Sequence, residues 1–355
     1  MARKRLQQLI WQQHWPVLLV IFMGLLGIGA YQGMIGSQAW QDQSTPQLMA
    51  SQVRYQRATQ RYVDTVGRSY SSKADFIKAY RANQLQLYRR QPTKTTGTVR
   101  GKFGTGINQF CFFMSILAGT VMIWVTRKRF FNEFLQSLGY RRAEIYRQQS
   151  LTYVGTVALG IAAGSIANLI ILWSRIPAAY FAYFNGMTWL KDLTGDILVG
   201  SCLIILAGLA TMIVNNVLIV FMLGTVAYLG WWVPIAALQN ATTHVWADDL
   251  SRHWELGCAI TILLMGLAWW GSQRLAARYS EEKQAQLVIF NGGRLPLVLI
   301  LSLPLSIGLN RLLTGIFSDS TDWLSLLIGW LVGLIGLVGW IYRPKWCQRL
   351  WQLMA

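Results

Sequence analysis

The chain has 355 residues, of which 54% are hydrophobic, and its mean hydropathy is +0.35. Its formal net charge is +18, from 32 Lys and Arg against 14 Asp and Glu. A composition this apolar argues against a soluble multidomain protein, because a soluble helix keeps one polar face. The positive charge lies in the segments that connect apolar stretches, which explains it without nucleic acid as a partner.

Seven long apolar stretches contain no Lys, Arg, Asp, Glu or His, and they run over Pro16–Gly36, Gly106–Thr126, Leu151–Ser174, Ile197–Leu238, Gly257–Ser272, Leu295–Asn310 and Trp323–Tyr342. A transmembrane helix needs about 20 mostly apolar residues, and a charge at mid-membrane costs about 2.5 kcal/mol or more. The stretch Ile197–Leu238 is long enough for two spans, and Asn215-Asn216 favours a turn between them. The sequence therefore predicts an all-α polytopic membrane protein with about eight transmembrane helices.

The distribution of Lys and Arg predicts the orientation. With a cytoplasmic N-terminus, the inner segments hold 16 of these residues and the three short outer loops hold 4. Short loops rich in Lys and Arg stay in the cytoplasm, whereas long loops cross largely regardless of charge. Both termini are therefore expected to be cytoplasmic, with the protein in a bacterial plasma membrane. A cleaved signal peptide is the alternative for the N-terminus, with Ser37-Gln-Ala39 as its cleavage site.

This topology divides the chain into nine predicted regions. They are a basic N-terminus with span 1 (1–36), an extracellular helical loop (37–105), span 2 (106–126), a cytoplasmic amphipathic segment (127–150), spans 3–5 (151–238), an outer loop with span 6 (239–272), a basic cytoplasmic loop (273–294), spans 7–8 (295–342) and a basic cytoplasmic tail (343–355).

The large loop Ser37–Thr105 carries 12 basic and 3 acidic residues. We expect two helices in it, on either side of Gly67–Ser72, followed by an irregular tail from Gln91. The second helix begins with a capping-box pattern at Ser72–Asp75. The first is suggested by apolar residues at helical spacing, Val53, Ala58, Tyr62, Val63 and Val66. The basic surface suits an anionic substrate, lipid headgroups or a wall polymer, or it is simply a solvated hairpin. The aromatic segment Ile176–Leu190 is expected to lie flat at the outer surface, with a re-entrant element as the alternative.

The inner segment between spans 2 and 3 contains a short amphipathic helix, Arg129–Leu138. Its apolar residues Phe130, Phe131, Phe134, Leu135 and Leu138 are predicted to form one stripe. Gly139 stands where a helix C-cap is expected, and a second helix from Arg141 leads into span 3. Such a helix either lies in the headgroup layer or presents its apolar stripe to a cytoplasmic partner.

This segment resembles the ABC-2 type permeases of ATP-binding-cassette transporters. That family typically has a Glu followed by Leu-Leu-Ser-Leu-Pro, then Ser-Arg and an aliphatic residue that leads into a span. The matching positions are Glu133, Phe134, Leu135, Ser137, Leu138, Arg141 and Ile145. Gly139 replaces the Pro often found in the family. A second run, Ala276–Ala285, is similar to the Arg-Ser-Glu segment that follows the sixth span in eight-span members.

The resemblance implies a membrane permease subunit that acts as an exporter and is not itself an enzyme. It implies two partners, a cytoplasmic ABC ATPase and a second permease subunit, identical or not. The residues that would couple to the ATPase are Phe130, Phe131, Glu133, Phe134, Leu135, Ser137, Leu138, Gly139, Arg141 and Arg142. ATP and Mg²⁺ would be bound by the ATPase, because the only phosphate-loop look-alike here, Gly97–Lys102, is one residue short and follows no strand pattern.

Other classes fit less well. A secondary transporter normally keeps ionisable residues inside the membrane, and none falls within the apolar stretches. A metalloprotease needs clustered ligands, whereas the three His are scattered at His14, His244 and His253. The four Cys show no metal-ligand spacing. A non-transporting membrane scaffold or sensor partner is the alternative from another class.

Overall fold

A computed structural model of the chain describes residues 2–45, 52–56, 60–64, 68–90, 99–106, 109–128, 130–213 and 254–278, with 220, 221, 224, 298, 302, 330–336 and 338. The helices are α1 (Ala2–Ser44), α2 (Lys73–Asn83), α3 (Gln109–Lys128), α4 (Phe131–Ser137), α5 (Arg142–Arg175), α6 (Gly186–Ile213) and α7 (Trp254–Arg278), with a 3-10 turn at Ala178–Phe181. The strands are β1 (Val53–Gln56), β2 (Arg61–Asp64), β3 (Ser69–Tyr70), β4 (Tyr88–Arg90) and β5 (Val99–Gly101).

Within this described part, four helices are long and apolar enough to cross a membrane: α1, α3, α5 and α6. They cover the predicted spans 1 to 4, and α7 covers the apolar stretch predicted as span 6. The protein is therefore a mostly helical, membrane-embedded protein, as predicted. The predicted turn at Asn215-Asn216 and most of spans 5, 7 and 8 lie outside the described residues.

The chain forms two compact units. One consists of the described residues of Met1–His14, Ser115–Val154 and Leu198–Ala355, and the other of those of Trp15–Met114 and Gly155–Ile197.

Helices α1 and α5 touch backbone to backbone in the second unit. A methyl group added to Gly29 would overlap the carbonyl of Gly164, and one added to Gly164 would lie 2.7 Å from the Leu25 carbonyl oxygen. Only residues without a Cβ atom permit helices to pack this closely. The small-residue pattern Gly160–Gly164 thus serves a contact within one chain.

The loop after α1 does not have the predicted fold. It contains β-strands where the first loop helix was expected. Strands β1, β2 and β3 form a three-stranded antiparallel sheet. Tyr55 pairs with Tyr62 across it, with ring centroids 5.1 Å apart. Val and Tyr favour strands, and aromatic cross-strand pairs stabilise a sheet, so these residues form strands although their spacing also suits a helix.

The second loop helix is confirmed as α2. Ser72 caps it, with the Asp75 N–H donating to the Ser72 Oγ at 3.1 Å. The tail after α2 was predicted to be irregular. Instead, β5 in this tail pairs with β4 in a two-stranded antiparallel sheet.

The core of the second unit gathers residues from α1, the loop and the end of α5: Trp40, Leu85, Leu87, Tyr88, Leu172 and Ile176. The Trp40 indole N–H donates to the Leu85 carbonyl oxygen at 2.9 Å. Tyr180, Phe181 and Phe184 of the aromatic segment pack against this core. These three aromatic residues therefore pack against the loop after α1. The predicted segment lying flat at the outer surface did not include this contact.

Candidate functional site

The candidate site is α4 together with the short links that join it to α3 and α5. Phe130 precedes the helix in a left-handed conformation, with φ 49°. At the other end, Gly139 has φ +86° and its N–H donates to the Gln136 carbonyl oxygen at 2.9 Å. That φ favours glycine, so Gly139 ends the helix as the sequence predicts.

The apolar residues of α4 are divided between two faces. Phe131 and Leu135 are buried, at 8% and 0% exposure, whereas Phe130, Phe134 and Leu138 are 59%, 50% and 50% exposed. The prediction of a single stripe is wrong in this respect. Phe131, Phe134 and Leu135 lie on the helix, whereas Phe130 and Leu138 flank it in non-helical conformations. The rest of the unit covers only Phe131 and Leu135. We call Phe130, Phe134 and Leu138 the exposed face.

The buried edge of α4 rests on the N-terminal part of α1 and the start of α5. Phe131 and Leu135 form a core cluster with Leu6, Ile10 and Ile145. Burying a Leu or Phe side chain fully is worth about 1.5–3 kcal/mol. This cluster therefore holds α4 in place while leaving the exposed face uncovered.

A buried polar pair extends this base. His14 Nδ1 lies 2.9 Å from the Tyr153 hydroxyl. The His14 ring packs edge-on against both Phe131 and Tyr153, with centroids 5.9 and 5.5 Å apart. His14 thus packs against the buried side of α4. The sequence indicates this position of His14, because the spacing of Leu6, Ile10 and His14 places all three on one side of α1.

Polar side chains tie α4 and the neighbouring helix ends together. Arg142 Nε donates to Gln136 Oε1 at 2.9 Å, and Gln149 Nε2 donates to Asn132 Oδ1 at 3.2 Å. Arg127, at the end of α3, is buried and donates to the Thr211 carbonyl oxygen at 2.8 Å. Of these five side chains, only Arg142 was among the residues predicted for the site. The others were missed because their partners are distant along the chain or because they lie on the inner side of α4.

The remaining predicted residues are distributed around the exposed face. Glu133, Ser137, Gly139 and Arg141 are exposed. Glu133 lies in the first turn of α4, where a negative charge is favoured by the helix dipole. The Ser137 hydroxyl donates to the Phe134 carbonyl oxygen at 2.7 Å. Arg142 is half-buried and faces Gln136, so it belongs to the base of α4 and not to the exposed face.

The second predicted run, Ala276–Ala285, is described only as far as Arg278, at the end of α7. The rest of it lies outside the described residues. Neither a protein-family model, nor a curated protein, nor a solved structure matches this chain.

Proposed function

We propose that the protein is the membrane permease subunit of an ATP-binding-cassette transporter of the ABC-2 type, acting as an exporter. In this proposal it is not an enzyme itself. A separate cytoplasmic ATPase binds ATP and Mg²⁺ and docks on α4, and a second permease subunit completes the pathway for the substrate.

The observation that carries the proposal is that the exposed face of α4 is uncovered while Phe131 and Leu135 hold the helix in a buried cluster. Three large apolar side chains, each at least half exposed, lie on or directly beside a short helix whose opposite edge is anchored. An amphipathic helix presented in this way suits a groove on a protein partner. The motif likeness at Glu133–Arg141 supports an ATPase as that partner.

The proposed topology has eight spans, with both termini in the cytoplasm and the loop after α1 outside. Sixteen Lys and Arg in the inner segments against four in the short outer loops support this orientation. It places α4 on the same side of the membrane as ATP.

Helix α5 offers a route from the ATPase to the membrane. It runs without a break for 34 residues from Arg142 to Arg175 and starts directly after the link that follows α4. Because its first turn is packed against α4 through Ile145, a displacement of α4 would move the end of a spanning helix.

Purification of the protein from its native membrane tests the proposal. We expect an ATPase with a phosphate-binding loop to co-purify, and its hydrolysis rate to change by several-fold when the permease is removed. Stable recovery of the protein without any ATPase would favour the alternative of a membrane scaffold or sensor partner.

A further inference from the structure

A small cavity lies behind α4, on the side opposite to its exposed face. Its volume is about 40 Å³, and its wall is built from α3, α4, α5, α6 and α7. A single water needs about 10–15 Å³, so the space suits about three waters or the oxygens of one phosphate group.

The described wall of the cavity carries two cationic side chains. Arg127 and Arg142 both line it, and none of its described lining residues is Asp or Glu. The nearest acidic residues in the sequence, Glu133 and Glu144, are exposed. Guanidinium groups bind phosphate through paired charge-assisted hydrogen bonds, and low-dielectric surroundings strengthen such bonds.

The carboxamides of the wall add donors to this charge. Asn132 Oδ1 already accepts from Gln149, and Gln136 Oε1 already accepts from Arg142. With those oxygens used, the amide groups of Asn132 and Gln136 can offer the cavity their N–H donors. Guanidinium and amide donors suit an anion with several oxygens and are unsuited to a cation.

We propose that this cavity binds a phosphate group, either free phosphate or the headgroup of a membrane phospholipid. The site is separate from the exposed face and needs no ATPase. Its occupant would bridge Arg127 at the end of α3 and Arg142 at the start of α5, and so fix α4 between them.

Gln136→Glu is the variant that tests the site. The substitution keeps the size of the side chain but places a carboxylate on the cavity wall beside Arg142, where it repels an anion. Charged hydrogen bonds of this kind are worth tenfold or more in affinity, so phosphate affinity should fall at least about tenfold. Gln8→Glu is the matched control, because Gln8 is exposed on α1 and does not line the cavity.

Two measurements on the full chain, purified in an uncharged detergent, distinguish the sources. In the first, sodium phosphate replaces sodium chloride at constant ionic strength; a saturating ligand should raise the unfolding midpoint by about 5 °C. In the second, native mass spectrometry compares retention of phosphatidic acid with that of diacylglycerol, which lacks the phosphate.

A response to inorganic phosphate in the wild type and Gln8→Glu, lost in Gln136→Glu, identifies free phosphate. Retention of phosphatidic acid with the same dependence, and no effect of inorganic phosphate, identifies a lipid headgroup. If neither ligand separates Gln136→Glu from Gln8→Glu, the proposed site is wrong. Because no ATPase is present, that result would leave the proposed function unaffected.

Discussion

Phe134→Asp combined with Leu138→Asp should release the ATPase and leave the permease folded in the membrane. Both side chains are half exposed and belong to neither core cluster, so the substitutions leave the buried residues in place and remove only the stacking of Phe134 on Phe131. Losing the burial of two such side chains in an interface costs about 2–4 kcal/mol, a weakening of roughly 30- to 700-fold. The measurement is the affinity of the purified permease for its ATPase, with the stimulated hydrolysis rate.

Two control pairs sharpen this prediction. Phe134→Leu with Leu138→Met keeps the face apolar and should keep binding within a few-fold. Phe131→Asp with Leu135→Asp places charges in the buried cluster and should destabilise the permease itself, with loss of folded protein from the membrane. If the Phe134 and Leu138 double variant keeps both complex and activity, the exposed face lies in the lipid headgroups and docks no ATPase.

Gly29→Ala and Gly164→Ala should each destabilise the protein. The added methyl group meets backbone atoms of the facing helix, which cannot move aside as a flexible side chain can. Overpacking of a close contact costs about 1–3 kcal/mol, and Gly29 should show the larger loss because its methyl group overlaps the Gly164 carbonyl. The measurement is the midpoint of thermal unfolding in detergent.

The matched control is Gly155→Ala on the same helix α5, where a Cβ atom meets nothing within 4 Å. Replacing glycine within a helix by alanine there should be neutral or slightly stabilising. Equal unfolding midpoints for all three variants would mean that α1 and α5 do not pack through Gly29 and Gly164.

The long apolar helices could be predicted from the sequence because their signal is local. About 20 uncharged apolar residues in a row dictate a helix in lipid wherever they occur. The cap at Ser72 and the helix end at Gly139 are local in the same sense, since each needs only a hydroxyl or a glycine at the right position. Those that fall within the described residues lie where the sequence placed them.

The strands of the loop were missed because pairing is not local. Tyr62 can follow either a helical or a strand pattern, and its partner Tyr55 on β1 decides between them. The division of α4 was missed for a related reason. The spacing of Phe131 and Leu135 shows that they are apolar neighbours, but their burial depends on Leu6 and Ile10, which are more than 100 residues away along the chain. The cavity depends on five helices and left no pattern in any one of them.

The sidedness of α4 is the claim on which docking to a cytoplasmic ATPase rests. Single cysteines placed at Glu144 and Lys78, both exposed, test it in a chain whose four native cysteines are replaced by alanine. An impermeant maleimide applied to intact cells should label Lys78→Cys, in the loop after α1, and label Glu144→Cys only after the membrane is permeabilised. Labelling of Glu144→Cys in intact cells would place α4 outside the cell, where no ATPase could reach it.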